Sequence, residues 1–148
     1  MNLVDTIYKK SAGGIVYTNG RFLTLNITKH GEIVFPKGTI EADETPEQAA
    51  IREVLEETGY HTRIVAPLGE VSYEFDEDDG KHYKKTVYHF LLALTDPEEQ
   101  ATPQREAHEN ADGMENLWLS KDEALQQLTH ENSRDILQRA LAILESHD

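Results

Sequence analysis

Three carboxylates crowd into the stretch "IREVLEETGY" at 51–60: Glu53, Glu56 and Glu57, followed by Gly59. On a helix advancing about 100° per residue from Glu47, they fall near 240°, 180° and 280°, an acidic face about 100° wide. Val54, Ile51 and Leu55 fall at roughly 340°, 40° and 80°, a separate apolar side. Like charges at i, i+3 and i, i+4 destabilise a helix by about 0.2–0.5 kcal/mol per pair. No lysine interleaves to relieve them. A face needed only for solubility would alternate signs. Carboxylates clustered in this way suit a hard divalent cation, Mg2+ or Mn2+, which takes oxygen ligands. Arg52, at i, i+4 from Glu56, can hold that carboxylate in place.

The residues just ahead carry the complementary half. In "FPKGTIEADE" (35–44), Pro36 and Gly38 read as a turn. Its backbone carbonyl can approach a metal because Gly38 has no side chain. Lys37 projects a cation beside the same place, and Glu44 lies just before the helix. A lysine-bearing loop leading into a carboxylate-bearing helix reads as a cradle for metal-bridged phosphates.

Elements must hold these groups. Thr45 is the expected N-cap of the acidic helix, Pro46 suits its first position, Gln48 completes a capping box and Gly59 ends it. "SAGGIVYTNGRFLTLNI" reads as a hairpin turning at Asn19-Gly20. "EIVFPKG" reads as a short strand. "TRIVAPLGEVSYEF" and "KKTVYHFLLAL" read as long strands joined by the solvated turn "DEDDGK". "TDPEEQATPQREAHENADG" reads as a loop with room for one helical turn, and "ENLWLS" as a last strand. Ser120 caps a helix over "KDEALQQL". The run "NSRDILQRALAILESH" has helical spacing, with Asn132 or Ser133 as cap. No repeat or linker interrupts the chain, so the expectation is one mixed α/β domain over 1–148.

Composition narrows the partners. With 28 acidic against 14 basic residues the formal charge is −14, a field that repels polyanions, so no extended nucleic acid is expected. The absence of cysteine excludes disulfides, zinc-thiolate sites and cysteine nucleophiles. The start "MNLVDTIYKK" lacks the apolar run of a signal peptide, and "FLLAL" is far short of a membrane span. The expected setting is therefore the cytoplasm, with no membrane partner. His82, His89, His108 and His130 show no ligand spacing and read as surface or satisfied core residues. Trp118 reads as core.

"GTIEADETPEQAAIREVLEETGY" (38–60) resembles the Nudix box, G-x5-E-x7-R-E-U-x-E-E-x-G-U, where U is a bulky aliphatic residue. Gly38, Glu44, Arg52, Glu53, Val54, Glu56, Glu57 and Gly59 stand where the pattern asks. Tyr60 replaces the last aliphatic residue, a change expected to alter packing and not chemistry. The resemblance implies an α/β/α sandwich on a mixed sheet and hydrolysis of a nucleoside diphosphate linked to another group. It implies that Glu53, Glu56, Glu57 and the Gly38 carbonyl bind Mg2+ or Mn2+, with Arg52 and Glu44 orienting the carboxylates. The general base it leaves open among Glu53, Glu106, Glu109 and Glu115.

The flanks "FPKG" and "YKKTVYHFLLAL" resemble the diadenosine tetraphosphate and diphosphoinositol polyphosphate hydrolase branch. That likeness implies polyphosphate contacts from Lys37 and from Lys84 or Lys85. It leaves Tyr73, Phe75, Tyr83 and Tyr88 each as base-stacking or core residues. The expected substrate is a small nucleotide, diadenosine tetraphosphate first. Other Nudix pyrophosphohydrolases, acting on nucleoside triphosphates or RNA 5′ ends, stay open, as does a silent ligand-sensing module. Oligomeric state is not legible.

Overall fold

The computed structural model describes residues 5–146. Its elements are β1 (Thr6–Thr18), β2 (Arg21–Ile27), β3 (Glu32–Val34), β4 (Lys37–Thr39), α1 (Pro46–Thr58), β5 (Thr62–Asp76) and β6 (His82–Leu94), then α2 (Ala107–Ala111), β7 (Met114–Ser120), α3 (Lys121–Gln127) and α4 (Glu131–Ser146). The strands form one mixed sheet along β3-β2-β1-β6-β5, with β4 paired to β1 and β7 to β2. β1 runs parallel to β6, and the other pairings are antiparallel.

Period-two alternation sorts the strand residues between two helical layers. Ile15, Phe22 and Leu91 turn to the face covered by α4, packing with Ile136, Leu137 and Ala140. Their neighbours Val16, Leu23, Phe90 and Leu92 turn to the face covered by α1, packing with Ala49, Ala50 and Val54. The result is the expected α/β/α sandwich.

Local chemistry explains the element ends. Asn19 and Gly20 both take positive φ, 49° and 78°, at the β1–β2 turn, the backbone a tight hairpin needs. Thr45 and Gln48 form the expected capping box. Ser120 and Glu123 cap α3 in the same way, and the loop after β6 contains one helical turn, α2.

Three expectations need correction. Lys37–Thr39 is not a turn but a strand, β4, whose Gly38 lies opposite Ala12 and whose Lys37 lies opposite Gly13. Small residues on both sides let the strands approach that closely. α4 starts at Glu131, with the His130 carbonyl accepting from Ser133 and Arg134. Asn132 and Ser133 are therefore inside its first turn, and His147 lies outside the described residues. On α1, Ile51 and Leu55 are only half-buried, whereas Ala49, Ala50, Val54, Glu57 and Thr58 are buried. The alanines mark the closest approach to the sheet. Helical phase weighted by large side chains put the buried face in the wrong place and left Glu57 outside it.

Candidate active site

Arg52 organises the acidic helix. Its Nε and one terminal nitrogen donate to the two Glu44 carboxylate oxygens at 2.6 and 2.8 Å. The same terminal nitrogen donates to the Thr39 carbonyl at 2.9 Å, and the other donates to Glu53 at 2.8 Å and to Glu56 at 3.3 Å. One guanidinium thus ties the loop, β4 and the helix together in a forked geometry that lysine cannot reproduce. These bonds hold the Glu44 carboxyl below the usual carboxylate range and push Arg52 up.

The three carboxylates differ in setting. Glu56 is the most open, with 42 % of its side chain exposed against 14 % for Glu53. The Glu53 carboxylate lies against Gly38, where any Cβ would overlap it. Glu57 is only 5 % exposed and accepts from the Lys37 backbone N–H at 3.2 Å. Burial, then the nearby Glu109 and Glu53 charges, push the Glu57 carboxyl up to about 9. Burial also raises Glu53, against the pull of Arg52.

Among the described residues no three His, Cys, Asp or Glu side chains form a closed metal cage. Glu53 and Glu57 nevertheless fit a hard cation in donor chemistry and in charge. Both supply carboxylate oxygens at the same place, and among the described residues no Lys, Arg or His side chain forms an ion pair with the buried Glu57. A divalent cation relieves such a deficit directly.

Of the loop glutamates, Glu109 is the one coupled to this cluster, acting on both Glu53 and Glu57. Glu106 is exposed at the N-cap of α2, and Glu115 is exposed on β7.

Lys37 and Lys85 lie side by side. Lys37 is exposed as a residue, yet burial around its ammonium and then the Lys85 charge lower that group below the usual lysine value. Lys9 pairs in register with Lys85 across β1 and β6 and stands over the Tyr83 ring at 5.9 Å. Lys84, one residue along, points to the opposite face, away from this row. Tyr83 stacks on Phe75 at 5.4 Å, and Phe75 lies 5.9 Å from Tyr73. Tyr88 instead packs in the layer under α1. Tyr60 meets Trp118 edge-on at 5.6 Å, the packing role expected of its departure from the box.

A cavity of about 540 Å³ opens beside Glu57 and Lys37, walled by Phe35, Val71, Tyr73 and Val87 with His89 among them. Burial, then Lys37 and Arg139, hold the His89 imidazole down to about 4, so it is neutral at pH 7. No hydrogen-bond partner for its ring is found among the described residues, and the half-buried ring forms part of the cavity wall. His82, His108 and His130 each pair with a surface carboxylate. A second cavity of about 500 Å³ carries Lys9, Lys85, Phe75 and Tyr83.

Sequence reasoning missed the far end of α1. The carbonyls of Glu56, Glu57, Thr58 and Gly59 accept from Gln104 N–H, Arg105 Nε, Asn116 Nδ2 and Thr102 N–H respectively. Gly59 has φ of 85°, and a Cβ there would overlap the Thr102 backbone. A signal was present: Arg105 is the single Arg or Lys in the acidic stretch 95–113.

Comparison with known proteins agrees with this arrangement. The chain is 25% identical to a Caenorhabditis elegans Ap4A hydrolase of known crystal structure, with a TM-score of 0.67 over 93% of this chain and 99% of that one. It is 39% identical over 97 residues to a MutT4-named protein of Mycobacterium tuberculosis, covering 59% of this chain and 39% of the relative. It is 36% identical over 104 residues to an RNA pyrophosphohydrolase of a Sulfurovum species, covering 65% of this chain and 63% of the relative. The chain spans about half or less of the length of the first curated relatives it matches. The NUDIX domain model matches residues 7–140, taking in the sheet, the acidic helix and the Arg105 loop alike, and the chain belongs to the NUDIX domain family.

Proposed function

We propose that this chain is a metal-dependent pyrophosphohydrolase of dinucleoside polyphosphates, diadenosine tetraphosphate first, yielding a nucleoside triphosphate and a monophosphate. The observation that carries the reading is the Lys37–Lys85 pair beside Glu57. Two ammonium groups held this close suit a ligand with several adjacent anionic phosphates. A sugar-linked diphosphate offers fewer. The likeness in fold and sequence to an Ap4A hydrolase supports the same choice.

Glu53, Glu56 and Glu57 would hold Mg2+ or Mn2+, with the Gly38 carbonyl on the adjoining strand. The ion supplies charge neutralisation at the phosphates and acidifies bound water. The chain's own residues do the rest. Arg52 and Glu44 fix the carboxylates, Lys37 and Lys85 orient the phosphate chain, and the apolar cavity with its exposed Tyr73 takes an organic end group. Glu109, the loop glutamate whose charge acts on both Glu53 and Glu57, would accept a proton from the attacking water. The hydrolysis balances simply: water oxygen bonds to one phosphorus as a P–O–P bridge breaks, and the departing phosphate takes the electron pair. A cytoplasmic setting, with a free nucleotide as partner, belongs to this reading.

A second reading, hydrolysis at an RNA 5′ end, is favoured by the relative with that name. Turnover of diadenosine tetraphosphate, a nucleoside triphosphate, ADP-ribose and 5′-triphosphorylated RNA decides between them. Lys37→Ala is expected to lower kcat/KM about tenfold or more on diadenosine tetraphosphate, one charge-assisted contact being worth about 1.5–3 kcal/mol. The loss on ADP-ribose is expected to be smaller. Equal losses on both would reject the polyphosphate role.

A further inference from the structure

Between Thr102 and Ala111 the chain is exposed except at two positions, Arg105 and Glu109. Arg105 bonds directly to α1, and Glu109 lies near enough for its charge to act on Glu53 and Glu57. Arg105 donates from Nε to the Glu57 carbonyl at 2.8 Å and from a terminal nitrogen to Asn116 Oδ1 at 2.8 Å. Asn116 returns the connection, donating from Nδ2 to the Thr58 carbonyl at 2.8 Å. Two side chains from separate elements thus grip consecutive carbonyls in the turn that carries Glu56 and Glu57.

We infer that Arg105 and Asn116 act as one clamp that positions the last turn of α1 and, with it, the Glu57 carboxylate and the facing Glu109. The inference rests on the proposed metal site at the acidic helix and adds the residues that aim it.

Four physical arguments support the clamp. The last carbonyls of a helix have no partner within it and must find one elsewhere. α1 has no basic residue in its last turn, so the positive group expected near the negative end of a helix dipole comes from the loop instead. Arg105 is also a cation within range of Glu57, Glu109 and Glu115. Finally, Glu109 is anchored from the same peptide segment. Its carboxylate accepts from the Glu106 N–H at 2.8 Å, and Asn110 reaches back to the Arg105 carbonyl at 3.4 Å. Loosening Arg105 therefore loosens both sides of the site at once.

The test measures Mn2+ alone bound to the whole chain, reading free Mn2+ by electron paramagnetic resonance, and in parallel kcat and KM. Arg105→Ala is expected to weaken Mn2+ binding about tenfold and to lower kcat by a similar factor, the usual range for groups that orient metal ligands. KM for the nucleotide should stay within about twofold, since no contact to the phosphate chain is lost. Arg105→Lys keeps the charge without the fork and should recover only part of the loss. Asn116→Ala should match Arg105→Ala, and the double variant should lose little more than either single one, the signature of residues acting as a unit.

Three results would overturn the clamp: wild-type Mn2+ affinity in Arg105→Ala, full recovery by Arg105→Lys, or losses that add in the double variant. If Arg105→Ala fails to fold, Arg105→Lys and Asn116→Ala decide alone, since each leaves part of the grip in place. Wild-type protein that binds Mn2+ but ignores dinucleoside polyphosphates would sink the proposed substrate and leave the clamp standing. Wild-type protein that binds no Mn2+ would remove both.

Discussion

In EDTA at pH 8, Glu57→Gln is expected to melt about 5 °C or more above the wild type, while its turnover with Mg2+ falls by orders of magnitude. The stability half follows from proton linkage. Glu57 is held protonated up to about 9 in the folded chain, whereas in an unfolded chain it ionises near its usual value of about 4.3. Between those pH values the folded state binds the extra proton, so stability falls as pH rises through the window. Glutamine keeps the shape and the acceptor for the Lys37 N–H and never ionises. It escapes that loss, so its advantage grows from near zero at pH 4 toward a plateau above pH 9. Mn2+ should shrink or reverse the difference, because an ion bound only to the folded wild type stabilises it. Thermal melts from pH 4 to 9, with EDTA and with Mn2+, check each part. A Glu57→Gln protein that melts at or below wild type in EDTA at pH 8 contradicts the burial argument.

Arg52→Ala is expected to cost about 2–4 kcal/mol of stability, somewhat below the 3–5 kcal/mol of a fully buried pair because a quarter of the side chain is exposed. Turnover should drop about a hundredfold or more, since a carboxylate displaced by an ångström is enough for that. The guanidinium has carboxylate acceptors on Glu44, Glu53 and Glu56 and a carbonyl acceptor on Thr39. Removing it leaves Glu53 and Glu56 to repel each other and releases the loop from the helix. Arg52→Lys should behave much more like Arg52→Ala than like wild type, because one ammonium cannot span these acceptors. Denaturant unfolding gives the first number and steady-state kinetics the second. Near wild-type behaviour of Arg52→Lys would show that charge alone suffices.

Much of this was legible in the chain because the signals were local. Thr45, Gln48 and Gly59 announce a helix with both ends, and Asn19-Gly20 announces a hairpin, since caps and tight turns depend on neighbours in sequence. The spacing of Glu53, Glu56 and Glu57 pointed to a cation-binding face for the same reason. What escaped depends on packing between distant segments. That Glu57 is buried and Glu56 open follows from the close approach of Ala49 and Ala50 to the sheet, which no helical phase angle contains. That Lys85 and not Lys84 joins Lys37 follows from strand register, where a shift of one residue exchanges faces. Lys9, 28 positions before Lys37 in sequence, joins the row only through its parallel pairing with Lys85. The gripping of the α1 carbonyls by Arg105 and Asn116 is of the same kind. A lone arginine in an acidic loop hinted at it, but its partners are backbone atoms, which a sequence does not distinguish.

Hydrolysis of diadenosine tetraphosphate in ¹⁸O-labelled water, with Mg2+ and with EDTA, tests the central claim most directly. The products are separated and the label located by mass spectrometry. ATP and AMP should appear in equal amounts only with Mg2+, and label should enter one of the two and not the other, because a single phosphorus is attacked. Two ADP, label in both products, or equal turnover in EDTA would contradict the account.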